Sequence, residues 1–260
     1  EWSGAEDLVR FLYRHVLRHL FTRVGLILAT LVTIAGVVAF GTVISRHTYG
    51  IQNRHFGVVF AILMTLDLII IFVHELGHAA VLVHYGRRVK SAGFRIYFGS
   101  PSFFVESADS LMLPRGRRIV QAAAGAGVEV VGTSIASIAL WTFPTGAAGQ
   151  VLYQFVIINY FVLFLNLVPL LELDGYWILS DALRQPDLRP ESLAFVRREL
   201  WRRLWRRQGL TRREVGLAAF GIAGVTFTVA AFVSAWYFWR RVFGDTVATM
   251  WAAGVSGKLL

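Results

Sequence analysis

Apolar positions gather along the chain in five blocks of about 20 residues or more, each long enough to cross the hydrocarbon core of a bilayer as a helix. They lie near 22–44, 56–83, 118–141, 150–171 and 214–239. Outside these blocks the periodicity changes. In 191–208, "ESLAFVRRELWRRLWRRQ", Leu193, Val196, Leu200 and Leu204 share one helical face, with Trp201 and Trp205 beside it and arginines opposite. That pattern predicts a helix lying in the headgroup plane. Residues 8–20 repeat it more weakly, with Arg10, Arg14 and Arg18 as the polar stripe. Over 86–113 the period falls to two. Phe94, Ile96 and Phe98 share a face, Phe103 and Val105 form a second short run, and "GSPS" supplies turn chemistry between them, which predicts a β-hairpin. The stretch "VATMWAAGV" after Arg241 reads either as the start of a sixth span or as a surface segment.

Composition sharpens this picture. Of 260 residues 56% are hydrophobic and only 16% charged, against about 25% charged in soluble domains. There is no cysteine, which excludes disulfides and thiolate metal sites and leaves His, Asp and Glu as metal ligands. The net charge is +10. In so apolar a chain that charge fits anionic headgroups rather than nucleic acid. Its distribution sets orientation. Twenty-one Lys and Arg residues fall on one side of the five blocks and five on the other, so the N-terminus and the loops after the second and fourth blocks face the cytoplasm. The expected fold class is an all-α polytopic membrane protein. It has five or six transmembrane helices, a small β-hairpin at the cytoplasmic face and amphipathic interfacial helices. Three parts are expected: 1–55 with the first span, a core over 56–183, and 184–260 with the Arg-rich helix, the last span and the tail. The opening "EWSGAEDL" has neither Met nor a signal-peptide pattern, and is expected to follow an upstream segment.

The second block ends in "FVHELGHAAVLVHYG", residues 72–86, which places ionisable groups in an otherwise apolar run. His74, Glu75 and His78 form the pattern H-E-x-x-H. On a helix the two histidines lie one turn apart on one face, so both imidazoles can reach one ion. Glu75 is rotated by about 100° and can face a water at the metal without being a ligand. Composition alone would yield about 0.006 such motifs in a chain like this. A charged group near mid-bilayer costs about 2.5–3.5 kcal/mol on insertion scales. Binding of a structural zinc is worth on the order of 10 kcal/mol, enough to offset the cluster. A catalytic zinc takes a third protein ligand and keeps one open position. Asp174 stands at the cytoplasmic end of the fourth block, at the same membrane level, where Pro169 and Gly175 break the helix. Irregular backbone at that depth must be buried in protein or face water.

"HELGH" in one span and "NLVPLLELDG" in a later one resemble the site-2 protease family of intramembrane zinc metalloproteases. The family's second motif, N-x-x-P-x-x-x-L-D-G, is met by Asn166, Pro169, Leu173, Asp174 and Gly175. The resemblance spans about 56–183. It implies one zinc per chain held by His74, His78 and Asp174, with Glu75 as the catalytic base and Asn166 helping to hold an extended substrate. "AAAGAG" (122–127) stands where the family often has A-G-P, with Ala126 in place of proline. Only about 34 residues separate the second and third blocks, too few for the PDZ domain many members carry there. "LDGYWILSDALRQPDLR" and "ADSLMLPRGRR" are similar to a branch of peptide zinc metalloproteases linked to bacteriocins and modified peptides. The implied partner is a membrane-embedded or membrane-associated polypeptide, and the implied location a bacterial cytoplasmic membrane.

Other residues are weighed beside these. Phe94 and Ile96 on the hairpin are candidates to contact a substrate strand added at its edge. Glu129 and Glu172 are the substitute carboxylates if Asp174 is not a ligand. Glu129, Thr133 and Ser137 form a polar stripe that faces the bundle interior. Asp67 lies roughly 10 Å from His74 along the helix, and His84 is turned off the ligand face. Two rival functions remain open on the sequence: a metal or proton transporter using the Asp67–His74–His78 face, and a non-catalytic peptide-binding scaffold of an export complex. Substrate and oligomeric state have no signature here.

Overall fold

The computed structural model describes residues 4–46, 49, 56–97 and 100–252. Arg54, Phe98, Gly99 and the tail 253–260, on which parts of the expectations above fall, lie outside the described residues. Among the described residues, five helices are long and apolar enough to cross a membrane, and the single sheet has two strands. The chain is thus an all-α membrane protein with a hairpin. It divides into two compact units, Glu1–Arg184 and Gln185–Leu260.

The first unit opens with α1 (Ala5–His15) and a 3₁₀ turn (Leu17–Phe21), shorter than the single helix expected over 8–20. The chain then folds back sharply. Gly25 permits the return, since a Cβ there would lie 2.0 Å from the His19 carbonyl oxygen. Val9 of α1 is buried with Ala79, Leu82, Val89 and Leu113, so the inner side of this amphipathic helix is spent on protein. Helix α2 (Arg23–Arg46) is the first span and α3 (Phe56–His84) the second. Strands β1 (Ala92–Tyr97) and β2 (Ser100–Val105) pair antiparallel, with Phe94 opposite Phe103. Helix α4 (Arg115–Thr142) follows Pro114, and α5 (Gly146–Leu167) ends four residues before the expected 171. Pro169 explains that end. The residue before a proline is pushed out of the helical region, and Val168 is extended, at ψ 117°. Helix α6 (Asp174–Leu183) restarts after the break. Gly175 is required there, because a Cβ would lie 2.1 Å from the Leu167 carbonyl oxygen.

Helix α4 is the hub of this unit, packing on α2, α3, α5 and α6. Small residues let it approach closely, as membrane helices require in the absence of a hydrophobic drive. Gly36 of α2 lies against Ser134, and Gly77 of α3 against the Ala124 carbonyl and Val128. Among the described residues, helix α4 also carries half of the buried polar side chains: Gln121, Glu129, Thr133, Ser134 and Ser137. At its N-terminal end, Arg118 pairs with the Asp181 carboxylate and Arg115 donates to the Asp181 carbonyl, clamping α6 to α4.

The second unit comprises α7 (Leu188–Phe195), a π-helical turn (Val196–Leu200), α8 (Trp201–Trp205) and α9 (Arg212–Ala252). Of the face expected from Leu193, Val196, Leu200 and Leu204, Leu200 is buried and Leu193 and Val196 are half-buried. Ser192, Phe195 and Leu200 are buried, while Leu204 is exposed and Trp205 is 91% exposed. The π turn inserts an extra residue and rotates the following face. Thr211 and Glu214 form a reciprocal capping box at the start of α9, at 2.9 and 3.3 Å. The helix runs through "VATMWA" to Ala252 without a break.

Candidate metal centre

The centre is assembled from three helices of the first unit. Residues 74–78 of α3 present two rings on one face, as the four-residue spacing dictates. The Nε2 atoms of His74 and His78 lie 3.1 Å apart. Asp174 enters as the first residue of α6, its carboxylate oxygens 3.2 Å from His74 Nε2 and 3.4 Å from His78 Nε2. One donor atom from each of the three can be chosen so that all lie within 4.8 Å of one another.

The far side of each ring decides what the near side can do. His78 Nδ1 lies 2.7 Å from the Gln121 carbonyl oxygen. A carbonyl only accepts, so that nitrogen carries the proton and donates. His74 Nδ1 lies 2.7 Å from the Glu129 carboxylate and donates likewise when the carboxylate is ionised. Both Nε2 atoms then hold lone pairs, and these converge on each other and on a carboxylate. Three electron-rich atoms so close repel unless a cation lies among them. A tetrahedral ion bonded at 2.0–2.1 Å would hold its ligands about 3.3 Å apart, which the separations of 3.1, 3.2 and 3.4 Å match. The donor set fits zinc. The space for it is kept by Gly125 of α4, where a Cβ would lie 2.4 Å from both Nε2 atoms.

Asp174 is held on both sides. The Asn166 amide donates to its carboxylate at 2.9 Å, and the Asp174 backbone N–H donates back to the Asn166 oxygen at 3.2 Å. Glu75, next to His74, is partly buried and accepts the Val105 backbone N–H at 2.9 Å. Val105 faces Ala92, while the adjoining pair closes through Glu106 N–H to the Ser91 carbonyl. The Val105 N–H therefore points away from β1, at the outer edge of β2.

The other candidates fall as follows. Asn166 meets Asp174, whose carboxylate it hydrogen-bonds. Glu129 meets the far nitrogen of His74 and lies outside the three-residue group. Glu172 is exposed. Phe94 and Ile96 are exposed on β1, and Phe94 walls an apolar pocket beside Glu75. Asp67 lies two turns before His74 on the same helix. His84 accepts or donates a 2.7 Å bond with the Tyr13 hydroxyl and stacks on Phe21, away from the centre. Sequence reasoning missed Gly125, the Gln121 carbonyl and the Val105 N–H. A glycine in an apolar helix was the one available signal, and two backbone groups leave none.

No family model matches the chain, and no solved structure matches it. YydH of Bacillus subtilis (strain 168), provisionally named a peptide zinc metalloprotease, is 28% identical over 140 residues. The match covers 51% of this chain and 54% of that protein, so the chain spans about half the length of the relative. The likeness supports a place among zinc metalloproteases.

Proposed function

We propose that the chain is an intramembrane zinc metalloendopeptidase of the site-2 protease type. In this reading it hydrolyses a peptide bond in a membrane-associated protein or a precursor or leader peptide near the cytoplasmic face. One observation carries the proposal: two histidine lone pairs, fixed by hydrogen-bond acceptors on the far side of each ring, converge with Asp174, and Glu75 is the very next residue along the helix. The name of the partial relative points the same way.

His74, His78 and Asp174 would hold the zinc, which when bound acidifies a water and polarises a carbonyl. Glu75 takes the proton of that water and returns it to the leaving amine. Glu129 and the Gln121 carbonyl keep the rings in the ligating tautomer, and Asn166 keeps the Asp174 carboxylate in line. A helical substrate hides its carbonyls in its own hydrogen bonds and must unwind before it is cut. An extended segment can add to an edge of the β1–β2 hairpin, beside Phe94 and Ile96. Proline substitutions along both hairpin edges should then abolish cleavage while leaving bound zinc unchanged.

The test of the base is Glu75→Gln. Zinc content should be retained and turnover should fall by roughly 10²–10⁴-fold, the usual contribution of a general base. Turnover at the level of the unmodified protein would defeat the assignment.

A further inference from the structure

Beside Glu75 lies a pocket of about 200 Å³. Its walls are Leu8 of α1, Phe72 and Leu76 of α3, Ala92 and Phe94 of β1, and Phe103 of β2. Glu75 itself forms part of the lining. Phe103 meets Phe72 and Phe94 edge-on, at 5.3 and 5.6 Å between ring centres, which makes a stiff aromatic wall. We propose that this pocket receives one large apolar side chain of the substrate, next to the bond being cleaved, and so sets specificity at that position.

Three observations select this occupant. First, the volume suits it. A cavity of about 150 Å³ lined by Leu, Ile and Phe takes up benzene, so 200 Å³ takes one leucine- or phenylalanine-sized group and no more. Second, position suits it. The pocket shares Glu75 with the metal centre, so a residue seated here has its backbone beside the reacting water. Third, Val105 lines the pocket, and its backbone N–H, on the outer edge of β2, is now held by Glu75. That donor can fix an extended peptide while its side chain points inward, as alternate residues of an added strand do. The wall supplied by α1 gives this amphipathic helix a task besides lying at the membrane surface. Ala92 is the position where the pocket is most simply filled, and Leu8 the one where it is most simply widened.

The inference rests on the protease reading, and the experiment separates the two. The zinc-loaded full chain, in detergent, is titrated calorimetrically with dipeptide hydroxamates, whose metal-binding group anchors them at the centre. The side chain next to that group is varied: glycine, alanine, leucine, phenylalanine or tryptophan. Leucine and phenylalanine compounds should bind about 10- to 100-fold tighter than the glycine compound, the fold-change expected for burying one such side chain. Ala92→Leu should shrink that ratio to about threefold or less without weakening the glycine compound. Leu8→Ala should move the optimum toward tryptophan, which keeps the test open if Ala92→Leu does not fold. Equal affinities across the series would overturn the pocket assignment and leave the protease reading standing. A retained acyl chain seen by native mass spectrometry, with equal affinities, would reassign the pocket to lipid. A chain that binds zinc but none of the compounds would count against the protease reading and remove the pocket proposal with it.

Discussion

Helices α2 and α4 are both long enough to cross a membrane, lie against each other, and serve opposite purposes. The hydroxyls of α2 bond back to their own helix: Thr30 to the Leu26 carbonyl at 2.8 Å and Thr33 to the Ala29 carbonyl at 2.9 Å. Its buried residues are Gly36, Ala39 and Val43, and the rest of its surface offers apolar side chains outward. Helix α4 buries a glutamate and a glutamine within it, and both reach a histidine of α3, through a side chain in one case and a backbone carbonyl in the other. Polar groups in hydrocarbon are costly. Where they cap their own helix they indicate only local satisfaction. Where they reach another helix, they mark the place whose geometry matters.

Matched substitutions in the two helices sharpen that contrast. The largest effect should come from Gly125→Ala, whose methyl would occupy the space between the two Nε2 atoms. Zinc affinity should fall by about 100-fold or more, on the scale of losing a ligand's support, as read by competition with a chelator. Gly41→Ala in α2 meets nothing within 4 Å. It should leave zinc affinity untouched and stabilise the protein by up to about 1 kcal/mol through helix propensity.

Next in size is Glu129→Ala, which leaves the His74 Nδ1–H without its acceptor. Such outer partners are worth 10- to 100-fold in metal affinity, and Glu129→Gln should recover part of the loss by accepting the same bond. Thr33→Val in α2 should do nothing measurable to zinc. Gly36→Ala probes the seam itself, because its Cβ would lie 2.3 Å from Ser134 Cβ. Overpacking should cost about 1–3 kcal/mol, seen as a lower unfolding midpoint in detergent with zinc stoichiometry intact. Smallest is Asp181→Asn in α6, which faces the N-terminal end of α4. The Arg118 pair is partly solvent-exposed, so its loss should cost at most about 1 kcal/mol.

Much of this was legible in the chain before any coordinates. Apolar blocks gave the spans because hydrocarbon thickness imposes their length, and the four-residue spacing of His74 and His78 gave a shared face because helices have a fixed pitch. Pro169 announced the break that delivers Asp174, although the helix stops earlier than the hydrophobic run, since a proline acts on the residue before it. What was not legible depends on helix–helix contact. Glu129 stood out as a buried carboxylate, but only the packing of α4 on α3 pairs it with His74. Gly125 acts by having no side chain, and Gln121 and Val105 act through backbone atoms. The π turn at Val196–Leu200 shifts the positions after it, so that Leu204 is exposed although Leu200 is buried.

X-ray absorption at the zinc edge, on protein purified with stoichiometric metal and compared with Asp174→Ala, bears most directly on the centre. A first shell of two imidazole nitrogens plus oxygens at 2.0–2.2 Å is expected, losing one oxygen contribution and most of the metal in the variant. A shell showing fewer than two imidazoles, or one that Asp174→Ala leaves unchanged, would contradict the three-residue centre.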